Sequence, residues 1–427
     1  MIERYSLSPL KDIWTDENKF QKMLDVEITI CEAWNKKGVI SDKDLENIKN
    51  KAKVDIKDIR RREETTRHET VAFVESISAK VGKSGKYIHF GVTSSDILDT
   101  AQSIQIRDSL TIILKSAKEF QKILLNKAKE YKHLIMIGRT HGMHAEPITL
   151  GFKFLVWYDE LDRDIKRIEN AIDSISYGKI SGSVGTYSHT DPDIEKYVCT
   201  KLKLKPAKVS TQILQRDIYC DVIYSATMLG NSLEKIALEI RHLHRTEIDE
   251  VKESFAQGQK GSSSMPHKQN PITCERICGQ ARVLRGYLMI SLENTALWHE
   301  RDMSHSSAER VIIPDSLILI HFMLNDMSSV ITNLVVKEDK IQNNLKIEKE
   351  KIFSQSIMLE LVLKGMDKDT AYDIVQKASF EKDSPFIDTI LKNKEVLKYL
   401  TKEEIKELST YKYYIRNIDS IFKRFET

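Results

Sequence analysis

Two runs of this chain hold residue types that can move protons and steady negative charge. The longer spans 257–271, from Gln257 to Pro271. It contains the hydroxyls of Ser262, Ser263 and Ser264, the imidazole of His267, the ammonium of Lys268 and the amide of Asn270. Gly258 and Gly261 free the backbone, while Pro266 and Pro271 fix it. Such a loop offers donors to an anionic substrate and can close over it to exclude water. Its composition alone favours an ordinary polar surface loop. The shorter run is 138–147, where His141 sits beside Gly142, with His144 and Pro147 just beyond. An imidazole gives or takes a proton near neutral pH. A capping or core histidine is the commoner role for such a residue, and the sequence places a proline-led helix start at Pro147.

Other short runs bear groups that hold anions. Arg67, His68 and Glu69 put a cation, an imidazole and a carboxylate on successive positions of one helix, so they point in different directions. His89 precedes a run, 91–96, in which Thr93 and Ser94 stand at a helix N-terminus. There, unpaired N–H groups and the helix dipole favour an anion, although Ser94 or Ser95 can also simply cap the helix. Gln212 follows Ser210 and Thr211, which read first as polar caps. Arg301, Ser306 and Arg310 lie in the run 298–310, where guanidinium forks suit carboxylate or phosphate. Glu300, Asp302 and Glu309 in the same run can instead neutralise both arginines. Arg4 and Tyr5 lie near Met1, where a chain is usually frayed.

Long helices must carry these groups. Apolar residues recur at helical spacing over 17–37, and Gly38 supplies a stop. Ser41 caps a short helix, and Asp55 opens another that is read as continuous to Val81. A very long pattern follows Asp96 through Ile97, Ile104, Leu114, Leu124 and Tyr131, a helix of about 50 Å at 1.5 Å per residue. Others cover 150–175 and run from Leu214 to Leu243, and one follows the 257–271 loop. A last one follows Pro314, apolar nearly all round in its first turns, which implies burial on every side. Beyond 337 the pattern shortens into compact helices at 353–365, 367–380 and 384–400. Strand signals are scarce. The fold class expected is all-α, with three helical domains: 1–93, a central long-helix bundle at 94–336 with its loop at 258–271, and 337–427. A single bundle has too few neighbours to bury so much apolar surface, which favours an obligate oligomer over a deep core helix within a monomer.

Composition narrows the field. The 427 residues carry a net charge of +3, with acidic and basic residues interleaved and no basic block of the kind nucleic acid attracts. Five cysteines with no framework spacing point to a reducing compartment and core thiols, Cys274 and Cys278 included. Nothing at the start of the chain reads as a signal peptide, and no apolar run approaches the roughly 18 residues of a membrane span. A cytoplasmic protein without membrane or nucleic-acid partners is expected.

The run 261–271 resembles the signature loop of the fumarase/aspartase/argininosuccinate lyase superfamily, in the form found in its purine-nucleotide branch. Thr140, His141, Gly142, Ala145 and Pro147 match a second motif of that branch, and the run 298–310 matches a third. The resemblance extends from Arg4 and Tyr5 to the last short helices. Two positions depart from it: Gln269 where the family usually has Arg, and Glu69 where it has Asp.

The resemblance implies β-elimination of fumarate from succinylated purine nucleotides, giving AMP from one and AICAR from the other, SAICAR. Abstracting a proton next to a carboxylate loads a second negative charge onto it, so fixed donors and cations are needed where that charge develops. By the resemblance Ser262 is the base and His141 the acid, with Glu275 and His89 in supporting roles and His144 structural. Residue type alone would assign the base to a histidine. Substrate contacts are implied for Arg4, Tyr5, Arg67, His68, Glu69, Thr93, Ser94, Gln212, Ser263, Lys268, Asn270, Arg301, Ser306 and Arg310. The resemblance further implies a homotetramer with a 20-helix core and sites shared between chains, and no metal or organic cofactor. Two other readings stay open: another lyase of the superfamily, such as argininosuccinate lyase or the related cycloisomerase, and a catalytically silent helical assembly protein.

Overall fold

The structure, a computed structural model, describes residues 1–256, 258–348 and 350–425. Gln257, at the head of the 257–271 run, lies outside the described residues.

Helices dominate, and their ends follow local chemistry. α1 (Asp16–Lys36) starts where Thr15 accepts the Asn18 N–H at 3.2 Å. α2 (Asp42–Lys51) is capped by Ser41, and α3 (Ile56–Thr66) by Asp55, both as the sequence predicts. The continuous helix expected over 55–81 is broken. Arg67 adopts φ 51°, its N–H closing α3 onto the Glu63 carbonyl at 2.8 Å. His68 is extended, and its Nδ1 accepts the Val71 N–H at 3.3 Å, so it caps α4 (Glu69–Val81). Thr65 and Thr66, β-branched and poor helix formers, stand just before the break. Phe20, Met23, Ile30, Ile59, Phe73 and Ile77 bury themselves where these helices meet, Phe20 and Phe73 stacking at 5.8 Å.

Five long helices follow: α5 (Ser94–Glu130), α6 (Leu150–Ile175), α7 (Asp217–Leu243), α8 (Ile272–Glu293) and α9 (Ser304–Thr332). With 37 residues, α5 is about 55 Å long. At Gly230 an added Cβ would lie 2.6 Å from Leu284 Cδ1 and 3.7 Å from Ile320 Cδ1, so glycine lets α7 approach α8 and α9 closely. α9 begins ten residues before the position expected from Pro314, which lies inside it. Pro314 cannot donate to the carbonyl of Arg310, four residues back. Burial of Ile312, Ile313 and Leu317 around it holds the helix together. By length and composition α9 could cross a membrane, but 67% of its most apolar window is buried inside the protein, as in a core helix.

The chain divides into two compact units. The first holds residues 1–119, 161–235 and 276–327. The second holds 120–160, 236–275 and 328–427, and is organised around a hairpin of β1 (Ile135–Thr140) and β2 (Met143–Thr149). Pro147 is therefore in a strand, not at a helix start. In the hairpin Ile137 packs with Leu345, Phe353, Ile357 and Leu361. The C-terminal helices include α10 (Ser354–Leu363), α11 (Lys368–Ser379) and α12 (Phe386–Lys392). The helix expected over 384–400 stops at Asn393, whose Oδ1 accepts the Glu395 and Val396 N–H groups instead.

Candidate active site

A cationic cleft of about 270 Å³ opens in the first unit. Arg301, Ser306, Arg310 and Glu69 line it, joined by Lys19 and Arg60. Glu69 is 7% exposed and lies beneath these cations. It accepts from Lys19 Nζ at 2.7 and 2.8 Å and from Arg310 Nη2 at 3.1 Å, with Arg60 Nη1 at 3.9 Å. Burial alone would raise its carboxyl. The charges of Lys19, Arg310 and Arg60 outweigh burial and hold it below the usual carboxylate range. Gln212 joins the group from the loop before α7, its Oε1 accepting from Arg301 Nη1 at 3.0 Å. The polar caps expected at 210–212 are absent because α7 starts only at Asp217.

The remaining first-unit candidates lie outside that cleft. Arg67 and His68 are exposed, so the three successive residues expected on one helix are parted by the α3–α4 break. Arg4 and Tyr5 form one turn of 3-10 helix. Tyr5 packs at a tilt against Phe322, ring centroids 5.2 Å apart, and the Met1 amine pairs with Asp315, which gives their order a structural cause. Thr93 and Ser94 begin α5, but the Thr93 N–H is taken by Asp96 Oδ2 at 2.8 Å. His89 has φ 64° and is held by buried Glu27, which accepts its backbone N–H at 2.9 Å and meets its Nδ1 at 2.7 Å. Burial lowers the His89 pKa, and the Glu27 carboxylate more than reverses this, leaving it raised. Phe90, Gly91 and Val92 line a separate cleft of about 470 Å³ with Gly182 and Ser183.

In the second unit, His141 stands at the tip of the hairpin. Thr140 pairs with Met143, so His141 and Gly142 alone form the turn, with φ 56° and 78°. A two-residue turn with both φ positive is the type I′ form that hairpin twist favours, and histidine tolerates it better than most residues. The imidazole is exposed, and buried Glu250 fixes its base by pairing with Arg139 at 2.6 and 3.0 Å. His144 is half-buried and its pKa is lowered, first by burial and then by Arg139.

The 258–271 loop folds back on itself. A Cβ at Gly261 would lie 2.0 Å from the Lys268 carbonyl oxygen, so only glycine permits this approach. Asn270 Nδ2 donates to the Gly261 carbonyl at 3.0 Å. Ser262 Oγ accepts the N–H groups of Ser264 and Met265 at 3.3 and 3.1 Å. Two backbone donors thus point at the one hydroxyl that would carry negative charge if it acted as a base. Ser263 is exposed beside it. Lys268, Asn270 and Glu275 line a basin of about 840 Å³ together with Arg241, His244 and Arg245.

The family described as Lyase matches residues 3–286, and the one described as Adenylosuccinate lyase C-terminus matches 351–425. Over 429 residues, all of both chains, the sequence is 46% identical to adenylosuccinate lyase of Thermotoga maritima. The chain belongs to the adenylosuccinate lyase family. It is also 45% identical to adenylosuccinate lyase of Bacillus subtilis, over 99% of each chain. Among solved structures, fumarate lyase from Mesorhizobium sp. BNC1 superposes with a TM-score of 0.89 at 24% identity, covering 98% of each chain. The 3-carboxy-cis,cis-muconate lactonizing enzyme from Pseudomonas putida gives 0.89 at 22%, covering 98% of this chain and 96% of that one. At that identity these two share the fold alone.

Sequence reasoning overlooked several residues of the cationic cleft in this member of the adenylosuccinate lyase family. Lys19 and Arg60 sit in amphipathic helices, where their charges read as solvated faces. Arg216, His305 and Glu309 form its buried back wall. In the sequence, Glu309 reads only as a neutraliser of Arg301 and Arg310. A buried arginine just before a helix start carries no local signal of its own.

Proposed function

We propose that this chain removes fumarate by β-elimination from adenylosuccinate, giving AMP, and from SAICAR, giving AICAR. The observation that carries the reading is the 46% identity, over the full length of both chains, to an adenylosuccinate lyase. In the proposed reaction Ser262 takes the proton next to the carboxylate, the carbon–nitrogen bond breaks, and His141 protonates the departing nitrogen. The two amide donors at Ser262 Oγ support its role, because they offset the charge an alkoxide would bear. The exposure of His141 on a tight two-residue turn suits proton delivery to a ligand brought from outside. Lys268, Asn270 and Ser263 steady the doubly charged intermediate, and Glu275 orients His141. Phosphate contacts fall to some of Arg4, Tyr5, Arg67, His68, Ser306 and Arg310, with Arg301 a further substrate contact. Thr93, Ser94, Gln212 and Glu69 complete the substrate contacts, with His89 in support.

The functional form proposed is a cytoplasmic homotetramer whose sites draw on several copies. One chain distributes the candidate residues over separate clefts, and α8 exposes Val283, Met289, Ile290 and Leu292 by 40 to 60% each. Apolar side chains in such a row favour helix-to-helix burial against another copy.

Loss of adenylosuccinate followed by ultraviolet absorbance tests the reading. Wild-type protein should turn it over, and His141→Ala and Ser262→Ala should each lose about 10²–10⁴-fold. Near-normal turnover in either variant removes that residue from its role. Faster turnover of a succinyl substrate without phosphate removes the nucleotide specificity. Analytical ultracentrifugation should give four copies, and a fully active monomer would overturn the shared-site arrangement.

A further inference from the structure

Behind the cationic cleft lies a closed network of four side chains, each 2 to 4% exposed: Asp99, Arg216, His305 and Glu309. Arg216 is its hub. Its Nη1 and Nη2 donate to Asp99 at 2.8 and 3.0 Å, and its Nε and Nη2 donate to Glu309 at 3.0 and 3.3 Å. One buried guanidinium therefore faces two buried carboxylates. Arg301 lies beside the network, its Nε 3.5 Å from His305 Nε2.

The tautomer of His305 follows from its neighbours. Its Nδ1 is 3.0 Å from Glu309 Oε2, an acceptor with no proton to give, so Nδ1 carries the hydrogen. Arg216 Nε, 3.3 Å from the same nitrogen, donates instead to Glu309 Oε1. The lone pair then sits on Nε2 and faces Arg301. We propose that His305, locked in this tautomer by Glu309, is a positioning residue that holds the Arg301 guanidinium against Gln212 and ready for the anionic substrate. Arg301 Nη1 already donates to Gln212 Oε1 at 3.0 Å, and Arg301 lines the cleft beside Ser306 and Arg310. An arginine fixed at both Nε and Nη1 spends less rotamer freedom when a phosphate or carboxylate arrives. Its effect should therefore appear in binding more than in chemistry. The consequence for turnover rests on the adenylosuccinate reading above, whereas the positioning itself does not.

Asparagine and glutamine separate the two nitrogens of His305. The amide of His305→Asn can reach Glu309 in place of Nδ1 but falls short of Arg301. The longer amide of His305→Gln places an acceptor near the Nε2 position. Expected is a rise in KM for adenylosuccinate of about tenfold or more in His305→Asn with kcat little changed, largely recovered in His305→Gln, at similar thermal midpoints. Placed on Arg301→Ala, His305→Asn should add nothing further to KM. Crystal structures of the two variants should show the Arg301–Gln212 bond kept with glutamine and lost with asparagine. Equal KM in both variants, additivity with Arg301→Ala, or an undisturbed Arg301 in His305→Asn overturns the proposal. So does failure of both variants to fold, which would make His305 a folding residue. Wild-type protein inert toward adenylosuccinate would overturn the functional reading instead, and the crystal structures would still decide the positioning.

Discussion

Glu253 reaches across the base of the 258–271 loop to Cys274: its Oε1 accepts the Cys274 N–H at 2.7 Å, while Oε2 accepts that of Thr273 at 3.2 Å. One carboxylate thus satisfies two of the orphan donors at the start of α8 and ties the two ends of the loop together. Glu253→Ala should cost about 0.5–2 kcal/mol of stability, the range of a lost helix cap, measured by chemical denaturation. It should also lower turnover more than a remote cap would, because the loop loses its anchor. Glu253→Gln, which keeps an acceptor oxygen, should fall between the two.

Asp96 and Lys179 form an ion pair with no solvent exposure on either side chain, 2.5 Å apart. Asp96 also accepts the N–H groups of Thr93, Ser181 and Gly182, so the pair fastens the start of α5 to the 181–182 segment. Removing one partner strands the other charge. Lys179→Met or Asp96→Ala should each destabilise by about 3–5 kcal/mol, read as a lowered denaturation midpoint. The double variant should be less damaged than the sum of the two, which a double-mutant cycle measures.

Gly261→Ala should damage catalysis with little loss of stability. The added methyl would meet the Lys268 carbonyl oxygen at 2.0 Å, backbone against backbone, so the two limbs of the loop must separate. A displacement of about 1 Å in catalytic groups costs on the order of 10²-fold in rate. The loop is largely exposed, so the thermal midpoint should hold within a few degrees. A steady-state assay beside a melting curve checks both halves of the expectation.

The acid limb of stability should carry a contribution from Glu69. Burial raises its carboxyl, but Lys19, Arg310 and Arg60 hold the folded-state value below the ordinary one. A depressed folded value means the stabilisation is complete above the unfolded carboxylate value, about 4.3, and is lost as pH falls through the lower folded value. Glu69→Gln should therefore weaken the protein at pH 7, by about 1.5–3 kcal/mol, and flatten its loss of stability below about pH 4. Denaturant midpoints collected across pH for both proteins test the sign.

Much of the fold was legible because helices announce themselves locally. Apolar spacing placed α1 and the five long helices, and Ser41 and Asp55 were readable caps because a cap is made within four residues. The type I′ turn at His141 was missed, since the sequence there offered Pro147 as a helix start and only strand pairing from Ile135 to Thr149 decided otherwise. The continuation of α9 through Pro314 departs from the sequence reading because burial around it overrides local propensity, whereas the break at Arg67 follows a local weakness at Thr65 and Thr66 that the long apolar pattern masks.

The sequence by itself determined which chemical groups are present, and the order of its motifs was enough to place the chain in its superfamily. Only tertiary structure decided which charges meet. Glu69 lies under Lys19 and Arg310, partners 50 and 241 residues away, and Arg216 lies between Asp99 and Glu309. Coulombic and hydrogen-bonding energies depend on separations of a few ångströms in a desolvated interior. No local pattern of residues encodes those separations, because they are set by how distant helices pack.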